Sequence, residues 1–446
     1  MSTPAARLAS EDFGPATSRK PEFRAWLITT LIGWAAFIAF LFFFSWILVQ
    51  LGRIPVVGNI VALILILVMI TATLLTMADR KWSALMQDRV GPNRARFAII
   101  PGLRDKPLKG IPHIVADVLK MLFKEDFIPE GALHNRILFN LAPLLAFAPA
   151  FMLFAVVPVS PTLQVAKVDW GILYVFALAS IAVFGTALAG WTSNNKLALL
   201  GGLRASAQLV SYEVTLGLTV VGTFIAFGTL RLDGMAQLQG MVEPSIRTAI
   251  ATADSWFVHD QSVLFGWLPA WGLIFQPLGM ILFLVAAQAE IKRAPFDTPE
   301  GESEIIGYFL EYSGLKSGLF LIAEYAETVV VAGIVTTVFL GAYHLPWVEP
   351  TVARALGFSS LEVLQVFAFI VKMLAVIWVM FVVRWAFPRF RYDQIMRLGW
   401  KMMLPISLVN VAVTAAVYLW AGREGMAWMG IAEWAGIIFY IGLTHG

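Results

Sequence analysis

Apolar runs of about 20 residues recur along this chain with short polar stretches between them, the pattern of helices long enough to cross a bilayer. The runs fall at 26–50, 55–78, 136–158, 170–191, 208–230, 267–289, 320–343, 361–383 and 402–421, with a further one at 427–444. The last contains Glu433 and fits either a span or a helix lying in the interface. The pattern predicts an all-α fold, a polytopic transmembrane helix bundle with nine to ten spans. One polar stretch breaks the rhythm differently. In "HIVADVLKMLFKEDFIP" (113–129), Ile114, Val118, Leu122 and Phe123 can share a helical face beside Lys120 and Lys124. That predicts an amphipathic surface helix, lying on the membrane or packed on the bundle.

Charge orients the spans. Segments 1–25, 79–136, 192–207, 290–317 and 384–401 hold 25 of the 32 Lys and Arg residues. The intervening loops hold only Arg53, Lys167, Arg231, Arg247, Arg354 and Arg423, and Lys372 falls mid-span. Positive charge marks the cytoplasmic side, so the N-terminus and the four basic loops are expected there. Residues 1–25 read as a disordered cytoplasmic tail. The run at 26–50 is too long for the apolar core of a cleaved signal peptide.

Composition narrows the chemistry. The chain is 59% hydrophobic and 14% charged, against about 25% charged in a soluble domain. It has no cysteine, which excludes thiolate zinc sites and cysteine-held iron–sulfur clusters. Its five histidines are scattered without a metal-binding spacing. No glycine-rich dinucleotide fingerprint or Walker loop occurs. The pI near 9.0 reflects topology, with no basic face suited to nucleic acid.

Carboxylates then gather where an oily chain should avoid them. "AEIKRAPFDTPEGESEIIGYFLEYSG" (289–314) carries Glu290, Asp297, Glu300, Glu302, Glu304 and Glu311. Glu213 lies near the cytoplasmic end of its span, and Glu324 and Glu327 are i,i+3 neighbours on one helix face. A charge at bilayer depth costs about 2.5–3.5 kcal/mol on insertion scales. Such groups face water or one another, and neighbouring carboxylates hold protons more tightly. The plainer reading is helix–helix glue, with Lys316, Arg204 or Lys292 as partners. That suits a single glutamate. It does not suit the set, because too few bases lie nearby. Pro295 and Pro299 break any helix between the spans, and irregular backbone at membrane depth is tolerated only against protein or a wet cavity. Glu300 and Glu304 are i,i+4 on a helix expected after Pro299. The expectation is a wet acidic cavity reaching from the cytoplasmic surface into the bundle. "GWTSNNKLALLGGLRASAQLVSYE" (190–213) reads as a short glycine-rich loop built to pack against something outside the bilayer.

"DRKWSALMQDRVGPN", "GWTSNNKLALLGGLRASAQLVSYE", "AEIKRAPFDTPEGESEIIG", "EYSGLKSGLFLIAEYAE" and "RFRYDQIMRLGWK" together resemble the H-type membrane subunit of the proton-pumping NADH:quinone oxidoreductase, respiratory complex I. The resemblance runs in order from about 55 to 421. It divides the chain into a tail (1–25), an extra N-terminal span and turn (26–54), the H-type membrane bundle of complex I (55–421) and a further hydrophobic segment (422–446). It implies a multi-pass subunit of the bacterial inner membrane that forms the quinone-access chamber, with quinone as substrate and no bound redox cofactor of its own. The implied partners are peripheral quinone-site subunits on the cytoplasmic face, antiporter-like and small membrane subunits, lipid and quinone. By motif, Glu213, Glu290, Glu300, Glu302, Glu304, Glu324 and Glu327 match the family's proton-channel glutamates. Arg80, Arg89, Arg389 and Arg391 match basic residues along the quinone path. Asp79 stands where the family usually has Glu, one methylene longer, and Thr298 and Gly301 also depart from common family residues. Two other readings stay open: the membrane subunit of an energy-converting hydrogenase, and a stand-alone ion transporter.

Overall fold

The computed structural model describes residues 23–54, 56–95, 110–240, 263–264, 268–299, 301, 307–345 and 358–445. The expected tail therefore lies almost wholly outside the described residues, as do Glu300, Glu302 and Glu304. Two compact units are distinguished, Met1–Ile47 and Leu48–Gly446. The first contains most of α1 (Phe23–Gly52). Along it Phe40 stacks near Phe44 and Phe43 near Trp46, each pair with ring centroids 6.1 Å apart. Phe37, Ile38, Phe40, Phe43 and Trp46 are exposed, as suits a helix surrounded by lipid.

The second unit is helical. Its elements are α2 (Val57–Met86), α3 (Ile111–Phe123), α4 (Arg136–Met152), α5 (Gly171–Thr192), α6 (Lys196–Phe227), α7 (Leu232–Leu238), α8 (Gly272–Phe275), α9 (Pro277–Glu290), α10 (Gly314–Phe339) and α11 (Phe358–Ala386). The last, α12, begins at Tyr392, passes through a π-helical stretch Leu398–Met403, and continues over Leu404–His445. The strands are two residues each, Val263–Leu264 paired antiparallel with Leu268–Pro269. Among the described residues eight helices are long and apolar enough to cross a membrane. Helix α9 is a shorter apolar helix of 14 residues. Gly422 interrupts α12 with φ 63° and ψ −155°, dividing it into limbs 404–421 and 423–445. This is the all-α polytopic bundle expected, with eight helices of spanning length among the described residues where nine to ten spans were expected, α9 falling short of a full span.

Helix α10 is the axis. Its span is 78% buried, and it packs against α2, α3, α4, α9 and α11. Helices α5 and α6 form a second tight pair, with α9 and α12 against α6.

Two expectations need correcting. The span placed at 208–230 begins at Lys196, so most of the glycine-rich stretch lies inside α6 and not in a loop. Asn195 starts the helix by accepting the Leu197 N–H at 2.9 Å, a normal N-cap. The glycines serve contacts within the chain: a Cβ on Gly190 would sit 2.6 Å from the Ala198 carbonyl oxygen and 3.0 Å from Gly202 Cα. The span placed at 267–289 is discontinuous. Gln276 leaves helical geometry (φ −140°, ψ 60°), separating α8 from α9.

The amphipathic helix is present as α3. Val118, Leu122 and Phe123 are exposed together with Ile111, Val115 and Leu119. Its other side meets the bundle, with Met121 closing on Gly318 of α10. Packing and an exposed apolar stripe thus coexist on one helix.

Candidate functional site

Glu290 is the last residue of α9, and Glu324 and Glu327 lie on α10 one turn apart. The three line one internal cavity with Lys292 and Tyr308, between walls supplied by α4, α5, α6, α9 and α10. Its volume, taken as space open to the centres of water molecules, is about 50 Å³. A water needs about 10–15 Å³ on that measure, so the cavity has room for several. Most other lining residues are apolar, among them Leu209, Phe283 and Phe320. Three carboxyls therefore share a small space in oily surroundings, with Lys292 among the residues that line it. Lys292 is buried, has φ 60°, and its Nζ donates to the Tyr308 hydroxyl at 3.3 Å. The other bases weighed as partners are engaged elsewhere. Lys316 pairs with Asp126 at 2.8 Å, and Arg204 lies over the Tyr392 ring.

Glu213 stands apart from this lining. It accepts a hydrogen bond from Ser180 of α5, though it lies near enough to Glu290 for their charges to interact.

Irregular backbone follows Glu290, and its polar groups are met from α6. Gln208 is fully buried. Its amide donates to the carbonyls of Ala289 (2.7 Å) and Phe296 (2.9 Å), and its Oε1 accepts from the Thr298 hydroxyl at 3.0 Å. This satisfies backbone that no helix pairs and holds the turn after Glu290 in place. Thr298 thus has a structural partner in this chain.

A second cluster adjoins the cavity. Asp79 of α2 is buried. Its Oδ2 accepts from the Tyr325 hydroxyl at 3.0 Å and from Arg384 of α11. Arg293 lies between two carboxylates, 3.7 Å from Asp79 and 3.9 Å from Glu324. Its guanidinium also sits 3.8 Å over the Tyr325 ring, a cation–π contact. Glu324 therefore belongs to both groups, facing the cavity and pairing with Arg293. Sequence reading missed Arg293, Arg384 and Tyr325 as participants. One signal was available for Tyr325: it follows Glu324 by one residue, so it points about 100° away around the helix, toward α2.

The basic edge is dispersed. Arg80 pairs with Asp117 of α3, and Arg89 donates to Gln87 beside it. Arg389 pairs with Asp297. The backbone N–H of Arg391 donates to Gln394 at 2.9 Å at the start of α12. All four arginines are exposed, and none lines the cavity. Burial pushes the Asp297 carboxyl above the ordinary range, while the Arg389 guanidinium pulls it down.

Chemically, the arrangement can store and pass protons. Carboxyls in low dielectric exchange them with water or with one another, and Arg293 links the cavity's glutamates to Asp79 on the side where α2 and α11 meet. Among the described residues no group of three or more His, Asp or Glu is placed to hold a metal ion.

Comparison with known proteins gives a consistent result. The family described as NADH dehydrogenase matches residues 58–415. The first of the H-type NADH-quinone oxidoreductase subunits of Geobacter metallireducens is 39% identical over 370 residues, covering 80% of this chain and 95% of that protein. The corresponding protein of Cytophaga hutchinsonii is 37% identical over 81% of this chain and 96% of its own length. NADH-quinone oxidoreductase subunit 8 of Rhodothermus marinus is 38% identical over 79% and 94%.

Proposed function

Since the chain belongs to the NADH dehydrogenase family and is similar over most of its length to subunits of NADH-quinone oxidoreductases, we propose that it forms the quinone-access chamber of such a complex and couples quinone reduction to proton translocation. One observation carries this reading. Arg293 bridges Asp79 and Glu324, and Glu324 also lines the cavity with Glu290 and Glu327. A change of charge near Asp79 would reach Arg293 directly, and through it the carboxylate of Glu324. From there Glu327 and Glu290 are the next carboxyls, with Glu213 near Glu290. Glu300, Glu302 and Glu304 would extend the acidic path toward the cytoplasm. Arg80, Arg89, Arg389 and Arg391 would line the quinone's route, guanidinium groups meeting polar parts while their stems lie along apolar ones. Quinone is the substrate, and the redox centres belong to partner subunits. Those partners are peripheral quinone-site subunits on the cytoplasmic face and antiporter-like and small membrane subunits. The chain lies in the bacterial inner membrane with its N-terminus cytoplasmic, as the distribution of basic residues supports.

The test replaces the carboxyls with shape-matched amides. Glu324→Gln and Glu290→Gln keep hydrogen-bonding capacity and remove titration. Each should strongly reduce quinone-linked NADH oxidation and proton pumping in purified complex. Electron transfer from NADH to an artificial acceptor should persist, because it needs only the partner subunits that hold the redox centres. Wild-type pumping in both variants and in Glu213→Gln would restore the helix-glue reading.

A further inference from the structure

Residues matched by the family end at 415, yet the second limb of α12, 423–445, closes on the broken span, α8 and then α9, that ends in Glu290. Three contacts build that closure. The Leu278 N–H in the first turn of α9 donates to Glu433 Oε2 at 3.2 Å. Trp434 Nε1 donates to the Leu273 carbonyl of α8 at 3.1 Å. Gly430 lies so close to α8 that a Cβ there would fall 1.8 Å from the Ile274 carbonyl oxygen. The first limb contributes the lock on the break itself. Gln276 Oε1 accepts from Asn410, and Gln276 Nε2 donates to Thr414, both at 2.8 Å.

Helix α9 needs such holding. It is not continuous with α8, so no helical hydrogen-bond ladder sets its axial position. Gly279, Ala286, Ala287 and Ala289 are buried on it beside Leu282, Phe283 and Gln288, so a shift along its axis would carry Glu290 with it. Its first turn also leaves N–H groups without helical partners. Pro277 removes one of them, and Glu433 satisfies the next. A carboxylate at this end also opposes the positive end of the helix dipole.

We propose that Glu433, with the limb that carries it, is a positioning residue for Glu290: it caps the N-terminus of α9 and so sets where the carboxyl at the other end stands in the cavity. The consequence for turnover rests on the proton reading of Glu290 above, while the cap itself does not.

The experiment uses intact purified complex carrying Glu433→Ala, Glu433→Gln or Glu290→Gln. Amide hydrogen exchange is followed in peptides spanning 277–290, together with quinone-linked NADH oxidation, proton yield and NADH oxidation by an artificial acceptor. In Glu433→Ala, exchange in the first turn of α9 should rise roughly five-fold, the effect of losing one N-cap. Quinone-linked turnover and proton yield should fall several-fold while artificial-acceptor activity holds. Glu433→Gln keeps an oxygen that accepts from Leu278 and should restore both exchange and turnover. Unchanged exchange in Glu433→Ala overturns the cap. Raised exchange with wild-type turnover and proton yield, in a background where Glu290→Gln is impaired, overturns the positioning role. If Glu290→Gln itself pumps normally, the proton reading of Glu290 falls instead, and rescue of exchange by Glu433→Gln still supports the cap.

Discussion

Arg293 has a carboxylate on each side and an aromatic ring beneath it, and only 10% of its side chain is exposed. Taking such a group out of water is costly and is repaid only by good pairing. Removing it leaves the opposite charges buried, which costs about 3–5 kcal/mol for one member of a buried pair. Arg384 remains beside Asp79, so the lower end applies. Arg293→Met should lower the thermal midpoint of the purified complex. It should also abolish most quinone-linked NADH oxidation while the artificial-acceptor rate per complex is kept. A variant that loses stability but keeps its quinone-linked rate would make Arg293 a strut and nothing more. At this scale Asp79 shows why residue type alone misleads. It is a methylene shorter than the usual glutamate, yet Tyr325 and Arg384 both reach its carboxylate.

Between helices, close approach decides what the side chains can do. Helices α5 and α6 meet at Gly190 and Gly202, where backbones nearly touch. In lipid, helix association depends on this kind of packing, since tails are as apolar as leucine. Gly190→Val should force the pair apart at a cost of about 1–3 kcal/mol or more, the usual range for overpacking. Ser180 of α5 and Glu213 of α6 are joined across the same pair, so the two helices cannot shift without disturbing that carboxylate. The expected result is less of the chain in assembled membranes and a lower quinone-linked rate per complex. Normal content and rate would show that the pair is looser than its backbone contacts imply. The stretch around Gly201 and Gly202 was legible as a request for tight packing. Its partner was not legible, because helix pairing depends on which faces meet in three dimensions.

Over the whole molecule, the unit Met1–Ile47 is separate from the unit that carries every site residue. The run 26–50 has no ionisable side chain, so it offers nothing to a proton path or a polar headgroup. The family match begins at 58. Deleting residues 1–47 should leave near-normal quinone-linked NADH oxidation per assembled complex, with lower yield, measured in membranes against the amount of this chain present. Assembled complex without quinone reduction would place this segment in the chamber.

The apolar runs, the loops in which basic residues gather and the presence of carboxylates among the spans were all legible in the sequence alone. Each depends on a local quantity: the transfer cost of a 20-residue run, the charge flanking it, or the penalty for one glutamate in oil. A bilayer lets each helix form by itself, because its backbone hydrogen bonds are internal. The tertiary structure decided which carboxylates share a cavity. It placed Glu290 with Glu324 and Glu327, tied Glu213 to Ser180, and set Arg293 between Asp79 and Glu324. It also brought Glu433 to the first turn of α9, 155 residues away in the chain. Such pairings come from steric fit between whole helices, a sum over many weak contacts that no single segment of sequence contains.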